Sequence, residues 1–228
     1  MRTVAFVPLK LNNERLPGKN TRRLRNGHPL LSYILGALSG ASGVDETWVY
    51  CSDESVRPLL PEAVRFLQRS AKLDGTLTPI NQVMRAFALD VEADVYVLAH
   101  ATAPFISRAH IEQAVQAVRS GRHDSALAVQ RLQEFLWQDG RPFNYDPAQI
   151  PRTQDLPVMH VETTGLYVYT RQLVHEQGRR IGRSPCLIEV TRIEAVDINE
   201  PIDFEMADAL ASALDLQPEG RRQALSTG

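Results

Sequence analysis

Residues 94–99, Asp94-Val95-Tyr96-Val97-Leu98-Ala99, make a near-continuous apolar run. Successive side chains of a strand point to opposite faces, so a strand written this way must be covered on both sides. That demand excludes a sheet with one wet face and asks for helices above and below. The rest of the chain supplies them. Thr3–Val7 reads as a first strand, Leu30–Leu38 as a helical stripe, Thr47–Cys51 as a second strand and Val64–Leu67 as a short third. Pro79–Leu89 is helical, with Thr78 placed to cap it, and Ser107 caps a helix through Val118. Ser125–Val129, Gly165–Tyr169 and Leu187–Val190 read as further strands. Strand–helix alternation of this kind predicts an α/β fold, a doubly wound and mostly parallel sheet.

The rhythm fails from about Leu132 to Met159. That stretch holds Trp137, Asp139-Gly140, Phe143 and Tyr145 among four prolines. Its aromatics argue against disorder, and it reads as an excursion of residues 132–159 from a single domain spanning 1–228, an arm suited to packing on another subunit. Pro201 opens a last helix, where Ile202, Met206, Leu210 and Leu214 recur at four-residue spacing and predict its buried face. The tail after Leu216 is polar.

At 228 residues, with 43% apolar and 23% charged residues, a sizeable core is expected. A net charge of −2 argues against a general nucleic-acid binder. Two cysteines, Cys51 and Cys186, are too few for a disulfide framework and read as buried thiols. The amino terminus is too short in apolar length for a signal peptide, and no apolar stretch is long enough to span a bilayer. The expectation is a cytoplasmic enzyme acting on small molecules.

Chemistry concentrates in the loop after the first strand, Val7 to Asn20. It holds two of the chain's three lysines, Lys10 and Lys19, with Arg15, Asn12, Asn13, Asn20, two prolines and Gly18; the remaining basic residues are one Lys and twenty-one Arg. Lys and Arg supply charge and Asn supplies directed hydrogen bonds, which suits a phosphate-rich ligand. The loop lacks the glycine spacing of a P-loop or a dinucleotide-binding turn, and a plain strand-exit turn with solvated charges would also fit it. In open α/β sheets ligands bind beyond the carboxyl ends of the strands. Two further segments reach that end: Ala99–Pro104 and Val196-Asp197-Ile198-Asn199. Asp197 and Asn199 are two apart, so in an extended segment both face one side and suit Mg²⁺ held together with phosphate oxygens. Asn199 would equally serve as the cap of the last helix. His100 would equally be a core histidine or face a substrate.

Taken together, these segments resemble the cytidylyltransferases that activate 2-keto sugar acids, the CMP-sialic acid and CMP-Kdo synthetase group, over roughly Val4 to Leu210. Arg15-Leu16-Pro17-Gly18-Lys19 matches the Kdo branch, and Lys19-Asn20 matches the end of the sialic-branch loop. Gly27–Leu30, Cys51-Ser52-Asp53, Arg69, Ala99–Phe105 and Val196–Asn199 follow in the family's order. Departures are Lys10 for an Arg, Glu14 for a Lys, His100 for a Gln, Asn199 for a metal-binding Asp, and Glu162–Gly165 for an Arg-Pro-Asn-Gly segment. The resemblance implies a Rossmann-like nucleotidyltransferase fold, a homodimer joined through the excursion, and CMP transfer from CTP to an acidic acceptor with Mg²⁺. It implies Lys10, Arg15 and Lys19 on the triphosphate; Leu9, Asn12, Asn20 and Arg69 on the nucleotide; and Asp197 and Asn199 on the metal. His100, Thr102, Arg152, Glu162 and Thr164 would face the acceptor. A sugar acid is the first expectation. A small phosphonate taken up through Arg152 or a protonated His100, another nucleotide, or a non-catalytic binding protein are the alternatives.

Overall fold

A computed structural model of the protein describes residues 1–13 and 15–218; the expectations for Glu14 and for the end of the tail lie outside them. β1 (Thr3–Leu9), β2 (Glu46–Cys51), β3 (Val64–Gln68), β4 (Val95–Ala99), β5 (Ser125–Leu132), β8 (Met159–Thr170) and β9 (Pro185–Glu189) form one sheet in the order β3-β2-β1-β4-β8-β5-β9. β6 (Trp137–Gln138) and β7 (Arg141–Pro142) make a separate hairpin in the excursion. Its Asp139 and Gly140 both have positive φ, 50° and 74°, the backbone a tight two-residue turn demands.

The helices α1 (Leu30–Gly40), α2 (Ile80–Asp90), α3 (Arg108–Arg119) and α4 (Pro201–Ala213) complete the fold. β1 shows how the layers are made. Ala5, Val7 and Leu9 enter a core shared with Leu31, Ile34 and Leu38 of α1 and with Ile111 and Val115 of α3. Val4 and Phe6 enter the opposite core, with Met84 and Phe87 of α2 and with Tyr96, Tyr167 and Tyr169. Phe6 stacks on Phe87 at 4.1 Å between ring centres. All five residues of β4 are buried, as a strand covered on both faces requires.

Five features differ from the sequence expectation. β8 runs antiparallel to both β4 and β5, the exception in an otherwise parallel sheet. It is also twelve residues long, because its first half pairs with the end of β5 at the base of the excursion. α2 is preceded by Pro79 with no side-chain cap; Thr78 stands one residue too early. Cys51 is buried, but Cys186 is only half-buried, since β9 is the sheet edge.

The largest difference is α4. Ile202, Met206 and Leu214 are exposed, and the helix buries Phe204, Ala207, Asp208 and Ala211 instead. Four-residue spacing drifts around a helix of 3.6 residues per turn, and the chosen face is fixed by polar contacts. Asp208 accepts a hydrogen bond from the Arg25 amide at 2.7 Å and pairs with the Arg25 side chain at 3.0 Å. Phe204 packs with Leu16, Leu24, Leu30 and Tyr33 in a third cluster that binds the opening loop to α4. Among the described residues no helix is long and apolar enough to cross a membrane.

Candidate active site

The chain runs β1-β2-β3 in one direction and then crosses to lay β4 on the other side of β1. A crevice opens where the order reverses, between loops that leave adjacent strands in opposite directions. Both the opening loop and the Ala99–Pro104 segment leave their strands there. A cavity of about 250 Å³ lies between them, lined by Leu9, Lys10, Asn13, Lys19, Asn20, Arg69, Thr76, Thr78, His100 and Thr102 among others.

Two hydrogen bonds tie the third predicted segment to the other two. The Lys19 ammonium donates to the Ile198 carbonyl at 2.7 Å, and the Ile198 amide donates to the Thr102 carbonyl at 2.8 Å. Lys19 is only 8% exposed. Burial pushes its pKa below the usual lysine value; the Asp197 carboxylate opposes that shift and the Arg15 charge adds to it. Asn20 is buried, and its amide group donates to the Lys10 carbonyl at 3.3 Å. Its side-chain oxygen is buried without a partner among the described residues, as is that of Asn13.

Arg69 forms the far wall. Its guanidinium donates to Asp74 at 2.7 Å, and Asp74 also accepts from the Ser52 hydroxyl at 2.5 Å. The turn 71–74 is thereby fastened to the ends of β2 and β3. The Arg69 Nε is buried and has no hydrogen-bond partner among the described residues. Unpaired buried donors and acceptors are costly, and three residues of the lining carry one each beside the Lys10 and Lys19 charges, a lining that suits a polar ligand.

At the rim, Arg15 donates to the Asn199 side-chain oxygen at 2.9 Å, and the Asn199 amide group donates to Asp197 at 2.8 Å. Asn199 is not the cap of α4. Glu200 is, in a reciprocal capping box with Asp203, which also accepts from the Asn199 amide at 2.9 Å. Asp197 can offer a carboxylate to a cation that is held mainly by phosphate oxygens, as Mg²⁺ commonly is. The Asn199 oxygen is engaged with Arg15. Among the described residues no group of three His, Cys, Asp or Glu side chains is arranged to hold a metal by itself.

Beyond His100 lies a second polar group. Burial, and then the Arg180 charge, lower the His100 pKa to about 4, against an opposing pull from Asp197. The imidazole is therefore neutral near pH 7. Glu162 accepts hydrogen bonds from the Tyr167 hydroxyl and, at 3.2 Å, from Arg180. The Arg180 guanidinium lies 3.6 Å from the centre of the Tyr167 ring. Thr164 stands beside His100 at a bulge in β8, exposed and with φ of 60°.

Leu9, Lys10, Lys19, Asn20, Arg69, His100 and Thr102 thus line one cavity, with Arg15, Asp197 and Asn199 linked along its rim. Asn12 is exposed and does not line it. Arg152 is not brought to the site: it is 72% exposed and held by Asp155 in the excursion at 2.7 Å. Asn13, Thr76, Thr78, Asp74 and Arg180 were not singled out from sequence. Asn13 lay in view inside the loop, whereas Arg180 sits in a polar connection with no pattern to mark it.

A family model described as Cytidylyltransferase matches residues 4–201. The chain is 27% identical over 214 residues to an N-acylneuraminate cytidylyltransferase B of Danio rerio, covering 90% of this chain and 50% of that protein, so it spans about half that relative's length. It is 23% identical to 3-deoxy-manno-octulosonate cytidylyltransferase 2 of Hydrogenovibrio crunogenus, covering 93% of this chain and 99% of the other. A solved CMP:2-keto-3-deoxy-manno-octonic acid synthetase complexed with CTP shares its fold, with a TM-score of 0.70 at 17% identity, covering 95% of this chain and 100% of that one. With the family model spanning most of its length, the chain belongs to the cytidylyltransferase family.

Proposed function

We propose that the protein transfers CMP from CTP to a 2-keto sugar acid, releasing pyrophosphate. The observation that carries this reading is the cavity at the reversal of strand order, lined by Lys10, buried Lys19, Asn13, Asn20 and Arg69. Lys10, Lys19 and Arg15 gather the triphosphate; Asn20 and Arg69 meet the nucleoside. The acceptor oxygen bonds to the α-phosphorus as the bond to the β-phosphate oxygen breaks, and the acceptor hydroxyl gives up its proton. The protein's task is to align the two partners and balance the charge of the leaving pyrophosphate. Mg²⁺, held by Asp197 with phosphate oxygens, would supply further charge neutralisation, with Asn199 fixing the Asp197 carboxylate.

The names of the relatives support a sugar acid as acceptor. A phosphonate is less well served. Of the two cations invoked for it, Arg152 is engaged in the excursion and His100 is neutral. Exposed aromatics in the excursion support a homodimer joined through it.

The test is pyrophosphate release with Mg²⁺ and each of CTP, UTP, GTP and ATP, against N-acetylneuraminate, Kdo and 2-hydroxyethylphosphonate. Release with CTP and a sugar acid is expected. A Lys19→Ala variant should raise the KM for CTP at least tenfold, and Asp197→Ala should abolish turnover. CTP binding without turnover on any acceptor would mark a non-catalytic protein, and preference for another nucleotide would replace the CTP reading.

A further inference from the structure

Arg180 is held more firmly than a surface arginine between a helical turn and an edge strand would be. The connection that carries it is clamped from below by Asp124. That carboxylate accepts hydrogen bonds from the Arg183 amide at 2.7 Å and the Ser184 amide at 3.2 Å, while the Gly182 amide donates to the Ser125 hydroxyl at 2.9 Å. Gly182 sits so close that a Cβ there would fall 2.2 Å from Asp124 Oδ2. These contacts hold the loop so that the guanidinium lies 3.6 Å from the centre of the Tyr167 ring, where ring and cation attract.

Against this cation the counter-ion is the more exposed partner, held by the Tyr167 hydroxyl as well as by Arg180. Glu162 touches Arg180 through one oxygen at 3.2 Å, and its side chain is 40% exposed while that of Arg180 is 20% exposed. Among the described residues this is the only hydrogen bond Arg180 makes, so most of a five-donor fork is unused. A bidentate carboxylate would bind that fork better than Glu162 does. Arg180 is also close enough to His100, at the cavity wall, for its charge to be felt there, alongside that of Asp197. Tyr167 pairs with Leu98 across the sheet, two residues before His100, and the His100 amide donates to the Gly165 carbonyl, so the ion pair on Tyr167 stands on the strand next to that cavity wall.

We propose that Arg180 and Glu162 form an exchangeable ion pair that filters acceptors by charge: a single carboxylate takes Glu162's place on the guanidinium, and a doubly charged group is turned away by Glu162. Near the cation stand two carboxylates, Glu162 and Asp197, and a neutral imidazole, so one negative charge can be accommodated by exchange while a second has nothing to meet it. This rests on the CMP-transfer reading and narrows its acceptor to a carboxylic acid that carries one charge at the docking end.

Steady-state pyrophosphate release with CTP decides it, using N-acetylneuraminate and Kdo as monoanions and 2-hydroxyethylphosphonate as the dianion near pH 8. Arg180→Gln is expected to raise the KM for the sugar acid turned over by at least tenfold, with the KM for CTP within twofold of wild type. Arg180→Lys, which keeps charge without the fork, should recover part of that loss, and it carries the test if the Gln variant does not fold. Glu162→Gln should raise the ratio of kcat/KM for the phosphonate over the sugar acid at least fivefold. An unchanged acceptor KM in Arg180→Gln, an equal rise for CTP and acceptor, or an unchanged ratio in Glu162→Gln overturns the filter while leaving CMP transfer standing. If wild type turns over none of the acids, the CMP-transfer reading falls and takes the filter with it.

Discussion

Glu194 is 6% exposed, three residues before Asp197, and fastens the segment that bears it. Its carboxylate accepts from the Ser107 amide at 3.0 Å, His110 at 2.6 Å, and the Thr191 amide and hydroxyl at 2.9 and 2.8 Å. Burial alone would raise its pKa, but these hydrogen bonds outweigh that and hold it down at about 2. The folded chain keeps the group ionised where the unfolded chain, titrating near 4.5, takes up a proton. Its contribution is therefore complete above pH 4.5 and is lost as pH falls toward 2, roughly 3 kcal/mol in all. Glu194→Gln should lower Tm by roughly 6 °C or more at pH 7, with the gap to wild type shrinking steadily between pH 5 and 3. A gap of equal size at both ends of that range in thermal melts would show that ionisation is not what Glu194 contributes.

Among the elements, β8 departs furthest from regularity, and it does so beside the cavity. Its pairing with β5 shifts register between Leu127 and Val129, and its Gly165 carbonyl accepts from the His100 amide at 3.3 Å. Thr164 takes a left-handed φ that a β-branched residue avoids, a strain held in place by the strands on either side. Gly165 meets Ala103 so closely that a Cβ would lie 2.8 Å from the Ala103 Cβ. Gly165→Ala should cost about 1–3 kcal/mol in chemical denaturation, because the Ala103 Cβ is fixed to its backbone and cannot swing away. Stability equal to wild type would mean the strand end shifts freely.

The strands and helices were legible in sequence because each carries its own period. So was the convergence of three loops, because it follows from the strand-end rule. Three things were not. The direction of β8 is set by which neighbours it joins, and its apolar residues read the same either way. The buried face of α4 depends on Asp208 meeting Arg25, a contact that a polar residue in a helix does not advertise. Arg180 becomes special only through Asp124, Tyr167 and Glu162, which are distant in the chain.

At the scale of the molecule, the described surface leaves large apolar groups uncovered. Trp137, Phe143 and Ile150 of the excursion are 63%, 51% and 68% exposed, and Val161 and Leu187 at its base are 46% and 44% exposed. Large apolar groups left exposed in one segment fit the homodimer proposed above. A second copy of the chain covering the excursion would account for them. Trp137→Asp should shift the sedimenting species from dimer to monomer at micromolar concentration with the thermal transition retained. Wild type sedimenting as a monomer under the same conditions would remove the homodimer.

The antiparallel β8 also fixes an order of events during synthesis. Residues up to Ala99 suffice to lay down β3-β2-β1-β4 as a continuous half-sheet. The partner for the far side of β4 begins 67 residues after Ala99, with Leu166, after α3, β5 and the whole excursion have emerged. Until then β4 offers an unpaired apolar edge, and the chain on the ribosome carries half a crevice, with the Lys10 and Lys19 side present and the Arg180 side not yet made. Most residues that would hold the nucleotide emerge before the Glu162 and Arg180 that would choose the acceptor, and the segment with Asp197 and Ile198 that completes the Lys19 side comes last of all.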